Sequence, residues 1–180
     1  GLAIAHSVIK RHGGHITVRS RPGEGSTFEF YLPAGQAVDA AGADEPMSHS
    51  SSALRILVMD DDPAVREVAS ESLLLLGYEV EVAADGARAL ELHENARLRG
   101  RPFAAVMLDL TVPGGMGGRE AMERLRAVDP TAIGVVASGY STDPVLADPA
   151  AYGFQAVLAK PYDLDALEAV FARLLGSGEG

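Results

Sequence analysis

Residues 54–176 predict an α/β domain, a (βα)5 doubly wound parallel sheet, on three observations. Short apolar runs of strand length alternate with amphipathic stretches of helix length, as they do where a parallel sheet is buried on both faces. The junctions carry helix start and stop residues. The composition, 47% hydrophobic and 22% charged, is that of an ordinary globular protein.

The five strands are expected at Arg55–Met59, Glu79–Ala83, Ala104–Leu108, Ile133–Ala137 and Ala156–Leu158. Each is too short for a helix and is bounded by turn residues or charge. The helices between and after them are expected at Pro63–Leu76, Gly86–Leu98, Arg119–Val128, Pro144–Ala151 and Leu164–Leu175. Asp62-Pro63 places a capping carboxylate before a proline at the first helical position, so Asp62 is read as a cap and not as a metal ligand. Gly77 follows Leu73-Leu74-Leu75-Leu76 as a left-handed stop. His93 is expected on the helix surface.

Residues 1–33 read differently. Leu2, Ile4, Ala5, Val8 and Ile9 form one helical face, and Gly13-Gly14 ends that helix. A hairpin follows, with Ile16, Val18, Phe28, Phe30 and Leu32 alternating around a turn at Arg21-Pro22-Gly23-Glu24-Gly25. One helix and one hairpin cannot cover their own apolar faces, so the missing partner is expected upstream. Residues 34–53, made largely of Ala, Gly, Ser, Asp and Pro without period, read as a linker. The expected division is therefore 1–33, 34–53 and 54–176. The absence of an initiator Met makes the chain look cut from something longer.

Several classes of function are excluded or made improbable by composition. No cysteine is present, so there is no disulfide framework, thiol nucleophile or Cys-ligated zinc. No apolar run approaches the ~20 residues of a membrane helix. A formal charge of −10 repels nucleic acid and anionic lipid. A cytoplasmic protein without nucleic-acid or membrane contact is expected, as a monomer or weak dimer.

In an open parallel sheet, ligands bind beyond the carboxyl ends of the strands. The first strand is followed there by Asp60-Asp61-Asp62, the third by Asp109, the fourth by Ser138-Gly139 and the fifth by Ala159-Lys160-Pro161. Carboxylates converging on one edge repel one another unless a hard divalent cation lies between them, and Mg²⁺ prefers such oxygen ligands. A carboxylate beside Mg²⁺ can attack a phosphoryl group while a hydroxyl and an ammonium bind its oxygens. Asp109 is the expected nucleophile, Ser138 the hydroxyl and Lys160 the cation.

The segments Ile56-Leu-Val-Met-Asp-Asp-Asp-Pro63, Val106-Met-Leu-Asp-Leu-Thr-Val-Pro113, Val136-Ala-Ser-Gly139 and Leu158-Ala-Lys-Pro161 together resemble the response-regulator receiver domain, whose fold is flavodoxin-like. The resemblance implies strand order 2-1-3-4-5, Asp109 as phosphoacceptor, and Asp60, Asp61, Asp109 and the Thr111 carbonyl as ligands of Mg²⁺, with Mn²⁺ as a substitute. Two departures stand out. The loop Pro113-Gly-Gly-Met-Gly-Gly118 is one residue longer than the family's usual pattern, which implies extra flexibility. Val157 stands where many receivers carry a switching Tyr or Phe, which puts an aromatic readout in doubt.

Gly1-Leu-Ala-Ile-Ala-His-Ser-Val-Ile-Lys-Arg-His-Gly-Gly14 and Gly25-Ser-Thr-Phe-Glu-Phe-Tyr-Leu-Pro33 are similar to the C-terminal end of histidine-kinase ATPase domains. Gly1 would be a remnant of the glycine box at the nucleotide, and ATP would bind only in the intact parent. Together the two resemblances imply the C-terminal part of a hybrid sensor histidine kinase, with a phosphohistidine-bearing kinase or phosphotransfer domain as partner. Two other readings remain open at this point: an aspartyl-phosphate phosphatase-like hydrolase, and a phosphorylation-independent interaction module. The first would want its nucleophile on the first strand and a cap insertion. The second would normally have lost one of Asp109, Lys160 or the acidic pair.

Overall fold

The structure, a computed structural model, describes residue 9 and residues 13–23, 25–33, 53–139 and 143–176. The chain divides into two compact units, Gly1–Ser51 and Ser52–Gly180. Among the described residues no helix is long and apolar enough to cross a membrane.

The first unit is a hairpin of β1 (His15–Arg21) and β2 (Gly25–Tyr31), antiparallel, with Ile16 opposite Phe30 and Val18 opposite Phe28. The apolar alternation read from the sequence is therefore one face of the ribbon. Before it, Gly13 lies at φ +68° and the Gly14 N–H donates to the Ile9 carbonyl at 2.8 Å, the long bond of a helix stop. The rest of the expected N-terminal helix, Gly1 and the segment 34–52 lie outside the described residues.

The second unit is a parallel sheet in the order β4-β3-β5-β6-β7. Its strands are β3 (Arg55–Met59), β4 (Glu79–Ala83), β5 (Ala105–Asp109), β6 (Gly134–Ser138) and β7 (Phe154–Ala159). Its helices are α1 (Pro63–Leu75), α2 (Gly86–Leu98), α3 (Gly118–Val128), α4 (Pro144–Ala147) and α5 (Leu164–Leu175). One face packs Leu73 of α1 and Leu167 and Phe171 of α5 against Ile56, Val58 and Met107. The other packs Ala89 of α2 and Met122 and Leu125 of α3 against Leu57, Val106 and Val136. This is the doubly wound sheet expected from the sequence, with the same strand order.

Local chemistry closes the elements as the sequence suggests. The Asp62 carboxylate accepts the Ala64 N–H at 2.8 Å ahead of Pro63. At the other end of α1, Gly77 has φ +89°, its N–H donates to Leu74 and the Tyr78 N–H to Leu73, a paired stop that turns the chain into β4. Several boundaries differ. Asp109 and Ser138 are the last residues of β5 and β6, not the first beyond them, because ladder pairing extends to Asp109↔Ala137 and Ser138↔Ala159. β7 is longer than expected at both ends. The helix expected over Pro144–Ala151 is broken: α4 ends at Ala147 and a separate 3₁₀ turn covers Pro149–Tyr152. Pro149 has no N–H to carry the α-helical ladder onward.

His93 is not the surface histidine the sequence predicts, for it is only 3% exposed. It shares the buried face of α2 with Gly86, Ala89 and Ala96, whose small side chains give no apolar signal yet leave room for a ring. That ring stacks on Phe103 at 6.4 Å between centroids, and its Nε2 lies 3.5 Å from the Asp129 carboxylate. Nδ1 has no partner among the described residues. Burial lowers the His93 pKa below the ordinary imidazole value, the opposing pull of Asp129 being insufficient, and Arg97 adds to the fall.

An imidazole with a depressed folded pKa leaves the unfolded chain as the better proton binder, so stability is full above about pH 6.5 and falls as pH drops below it. Urea unfolding at pH 7.5 and pH 5 is expected to show this loss, and His93→Leu to shrink it. An identical pH slope in the variant would exclude His93 as the cause.

Candidate functional site

The site lies at the carboxyl edge of the sheet, where β3, the neighbouring β5, and β6 and β7 all end. The strands β3 and β5 are adjacent although α1, β4 and α2 separate them in sequence, which makes this the point where strand order reverses. Gly118 lets α3 begin directly against β5: a Cβ there would stand 2.5 Å from the Asp109 carbonyl oxygen.

Asp60 is 3% exposed and both its carboxylate oxygens are engaged. Oδ1 accepts the Asp62 N–H at 3.0 Å and Oδ2 accepts the Lys160 ammonium at 2.5 Å. The same ammonium lies 2.9 Å from Oδ1 of Asp109. Asp61 is exposed, and its carboxylate joins those of Asp60 and Asp109 in a group whose ligand oxygens lie within 4.8 Å of one another. The Lys160 N–H donates to the Ser138 carbonyl at 2.9 Å, which places buried Ser138 next to Lys160 across the β6–β7 ladder. Thr111 is exposed in the loop after β5. In that loop Gly115 closes a turn on Val112, and the Met116 carbonyl accepts the Gly86 N–H at 2.8 Å.

These contacts tune the charges. Burial pushes the Asp109 pKa up, and the neighbouring Asp60 and Asp61 push the same way, while Lys160 pulls it down without cancelling the rise. For Lys160 burial alone would lower the pKa, but its bonds to Asp60 and Asp109 outweigh that and hold it above the ordinary lysine value. Carboxylate oxygens this close suit a small hard cation, since adjacent ligands of an octahedral Mg²⁺ lie about 3 Å apart and opposite ones about 4 Å. The ammonium between two of the three carboxylates shows that the site draws positive charge.

The sequence-predicted residues Asp60, Asp61, Asp109, Ser138 and Lys160 thus meet at one edge. Two contributors escaped sequence reading. Arg66, half-buried in α1, donates from Nη1 to the carbonyl oxygens of Asp60 at 2.6 Å and Asp61 at 3.0 Å. A cation near a helix N-terminus opposes the helix dipole, and that mismatch was the available signal. Tyr162 lines a cavity of about 470 Å³ beside Lys160, with Ala64, Val65 and Val68 of α1. Its hydroxyl is buried without a partner among the described residues, and burial followed by the charges of Asp60 and Asp109 pushes its pKa upward. Val157, at the position expected for an aromatic switch, is half-buried against the α2–α3 side of the sheet.

A doubly wound sheet of this order with an acidic cluster and a lysine at its carboxyl edge defines a two-component signalling domain. The chain belongs to the response regulator receiver domain family, whose model matches residues 56–172, and residues 1–36 match the histidine kinase-, DNA gyrase B- and HSP90-like ATPase family. Both segments in one chain is the combination found in hybrid sensor histidine kinases. The sensor histidine kinase AruS of Pseudomonas aeruginosa is 37% identical over 93% of this chain and 16% of its own length. The sensor kinase CckA of Brucella abortus is 32% identical over 97% of this chain and 19% of its own length. The chain therefore spans less than a fifth of either relative. Among solved structures, the response regulator TrrA of Thermotoga maritima, in complex with Mg(2+)-BeF, has 29% identity and a TM-score of 0.58, covering 68% of this chain and 99% of that one.

Lys160→Met leaves Asp60 and Asp109 buried together without their cation. It is expected to lower the unfolding free energy in metal-free buffer by about 3 kcal/mol, the scale for breaking a buried ion pair. Urea midpoints with and without a divalent cation check this, and a variant as stable as wild type would show that the ammonium does not hold the carboxylates together.

Proposed function

We propose that residues 54–176 accept a phosphoryl group onto Asp109 from a phosphohistidine on a kinase or phosphotransfer domain, in a Mg²⁺-dependent phosphorelay. One observation carries this reading: the Asp109 carboxylate stands at the sheet edge 2.9 Å from Lys160, with the oxygens of Asp60 and Asp61 within 4.8 Å. Asp60, Asp61, Asp109 and the Thr111 carbonyl would hold the cation, and the same oxygen set accepts Mn²⁺. When bound, the cation offsets negative charge on the phosphoryl oxygens.

The remaining work belongs to the chain. An Asp109 carboxylate oxygen attacks phosphorus, an O–P bond forms as the P–N bond breaks, and the electron pair returns to the imidazole nitrogen. The Lys160 ammonium favours the ionised form of Asp109 against the effect of its burial, then pairs with a phosphoryl oxygen. The Ser138 hydroxyl donates to another. Arg66 keeps the acidic loop in place. The reading favours an acceptor with slow self-dephosphorylation over an independent enzyme. A phosphatase-like hydrolase has no observation in its favour: Asp109 lies on the third strand in sequence of this sheet, not the first.

We propose equally that residues 1–33 are the end of a kinase ATPase domain, with Gly1 a remnant of its glycine box, that 34–53 link it to the receiver, and that ATP binds only in the intact parent. The parent would display this receiver in the cytoplasm, as a monomer or weak dimer that contacts neither nucleic acid nor membrane through these residues.

Incubation with Mg²⁺ and a small phosphodonor is expected to add one phosphoryl group to the wild-type chain by intact mass and none to Asp109→Asn. Equal labelling of the two would move the acceptor elsewhere. Mg²⁺ should also raise the thermal midpoint, through a linkage of about 2.7 kcal/mol at a hundred times its Kd. A midpoint indifferent to Mg²⁺ would remove the metal from this reading.

A further inference from the structure

We propose that Arg66 is a positioning residue of the divalent-cation site, which it serves by clamping the backbone on both sides of Asp61. The inference rests on the proposed reading of Asp60, Asp61 and Asp109 as cation ligands. The two N–H groups on Nη1 of Arg66 reach two successive carbonyl oxygens, those of Asp60 and Asp61. Each carbonyl belongs to a rigid peptide plane, and the Asp61 Cα is the hinge between those planes. Holding both planes therefore fixes φ and ψ of Asp61 and with them the direction of its Cα–Cβ bond.

Asp61 is the member of the acidic group that needs such help. Asp60 is already immobilised through both carboxylate oxygens by Lys160 and the Asp62 N–H, and Asp109 closes a central strand and meets Lys160. Asp61 is exposed at the start of the β3–α1 connection, and no hydrogen bond or ion pair holds its carboxylate among the described residues. The clamp comes from α1, whose start is fixed by the Asp62 cap and whose Ala69 and Leu73 are buried in the core. Arg66 thus ties an exposed ligand to a helix that is capped at its start and packed into the core.

The proposal has a sign opposite to that of simple electrostatics. A guanidinium close to a cation site repels the cation, so deleting its charge would by Coulomb's law tighten binding. If positioning governs, deletion frees the Asp61 backbone, and the cation must then order it again on binding. Calorimetric titration of MgCl₂ into the metal-free 180-residue chain tests this with wild type, Arg66→Met and Arg66→Lys. Arg66→Met should weaken Mg²⁺ binding by about tenfold, the equivalent of re-ordering one residue's backbone. Arg66→Lys, which keeps the charge but ends one atom short of the Nη1 position, should recover only part of the affinity.

A double-mutant cycle separates this role from general loosening of the domain. In an Asp61→Asn background Arg66→Met should change Mg²⁺ affinity little, because the ligand it positions is already impaired. Additive losses in the cycle, or an Arg66→Met affinity equal to or tighter than wild type, would overturn the proposal. Thermal midpoints of the metal-free variants report folding independently, and Arg66→Gln offers a second variant should Arg66→Met not fold. A wild-type chain that gives no Mg²⁺ isotherm would instead sink the cation-site reading, and this inference with it.

Discussion

Three carboxylates converge where the two central strands end, and one ammonium spans two of them. The Lys160–Asp60–Asp109 contact is the interaction on which the site depends. Without a cation in that place, two buried carboxylates would repel each other at the edge of an apolar sheet, which works against holding that edge closed. With it, each of the two carboxylates has a positive partner, at 2.5 Å for Asp60 and 2.9 Å for Asp109. In the proposed reading the same charge also meets the incoming phosphoryl group, which would couple stability and phosphotransfer through a single side chain.

The scaffold makes this contact achievable. A strand buried on both faces has room for polar groups only at its ends, and ladder pairing sets where those ends fall. The pairing of Ser138 with Ala159 and the Lys160-to-Ser138 backbone bond put the lysine at the edge, and the adjacency of β3 and β5 puts its two carboxylate partners within reach. The helices finish the arrangement. α3 starts against the Asp109 backbone because Gly118 has no Cβ, and α1 starts on the Asp62 cap and returns Arg66 to the acidic loop.

Two further buried polar groups show how far the domain tolerates compromise. His93 and the Tyr162 hydroxyl each keep an atom without a partner among the described residues. Neither is an error of packing in the apolar sense. The His93 ring fills space between Phe103 and the end of α3, and the Tyr162 ring is one wall of a cavity that opens beside Lys160. Both use an aromatic body for contact and accept the cost of a poorly solvated polar tip.

The alternation of apolar runs and amphipathic stretches, the Asp62-Pro63 start, the Gly77 stop and the acidic and basic residues at the strand ends were legible in the sequence because each is a local or periodic signal. They were sufficient for the fold class, the strand order through family resemblance, and the identity of the residues at the edge. Tertiary structure alone decided the rest. His93 is buried because its helix turns a face of alanines inward, and small residues carry no hydrophobic signal. The expected helix at Pro144 splits because Pro149 lacks a donor, a cost the packing around it did not override. Arg66 reaches the acidic loop because it stands about one helical turn past the Asp62 cap, which brings it back over Asp60 and Asp61. Sequence determines which chemistry is available and roughly where the chain bends, since propensity and periodicity act over a few residues. Distances between groups from different strands, such as Lys160 and Asp60, come from the register of the sheet and the packing of its two faces, which no local pattern encodes.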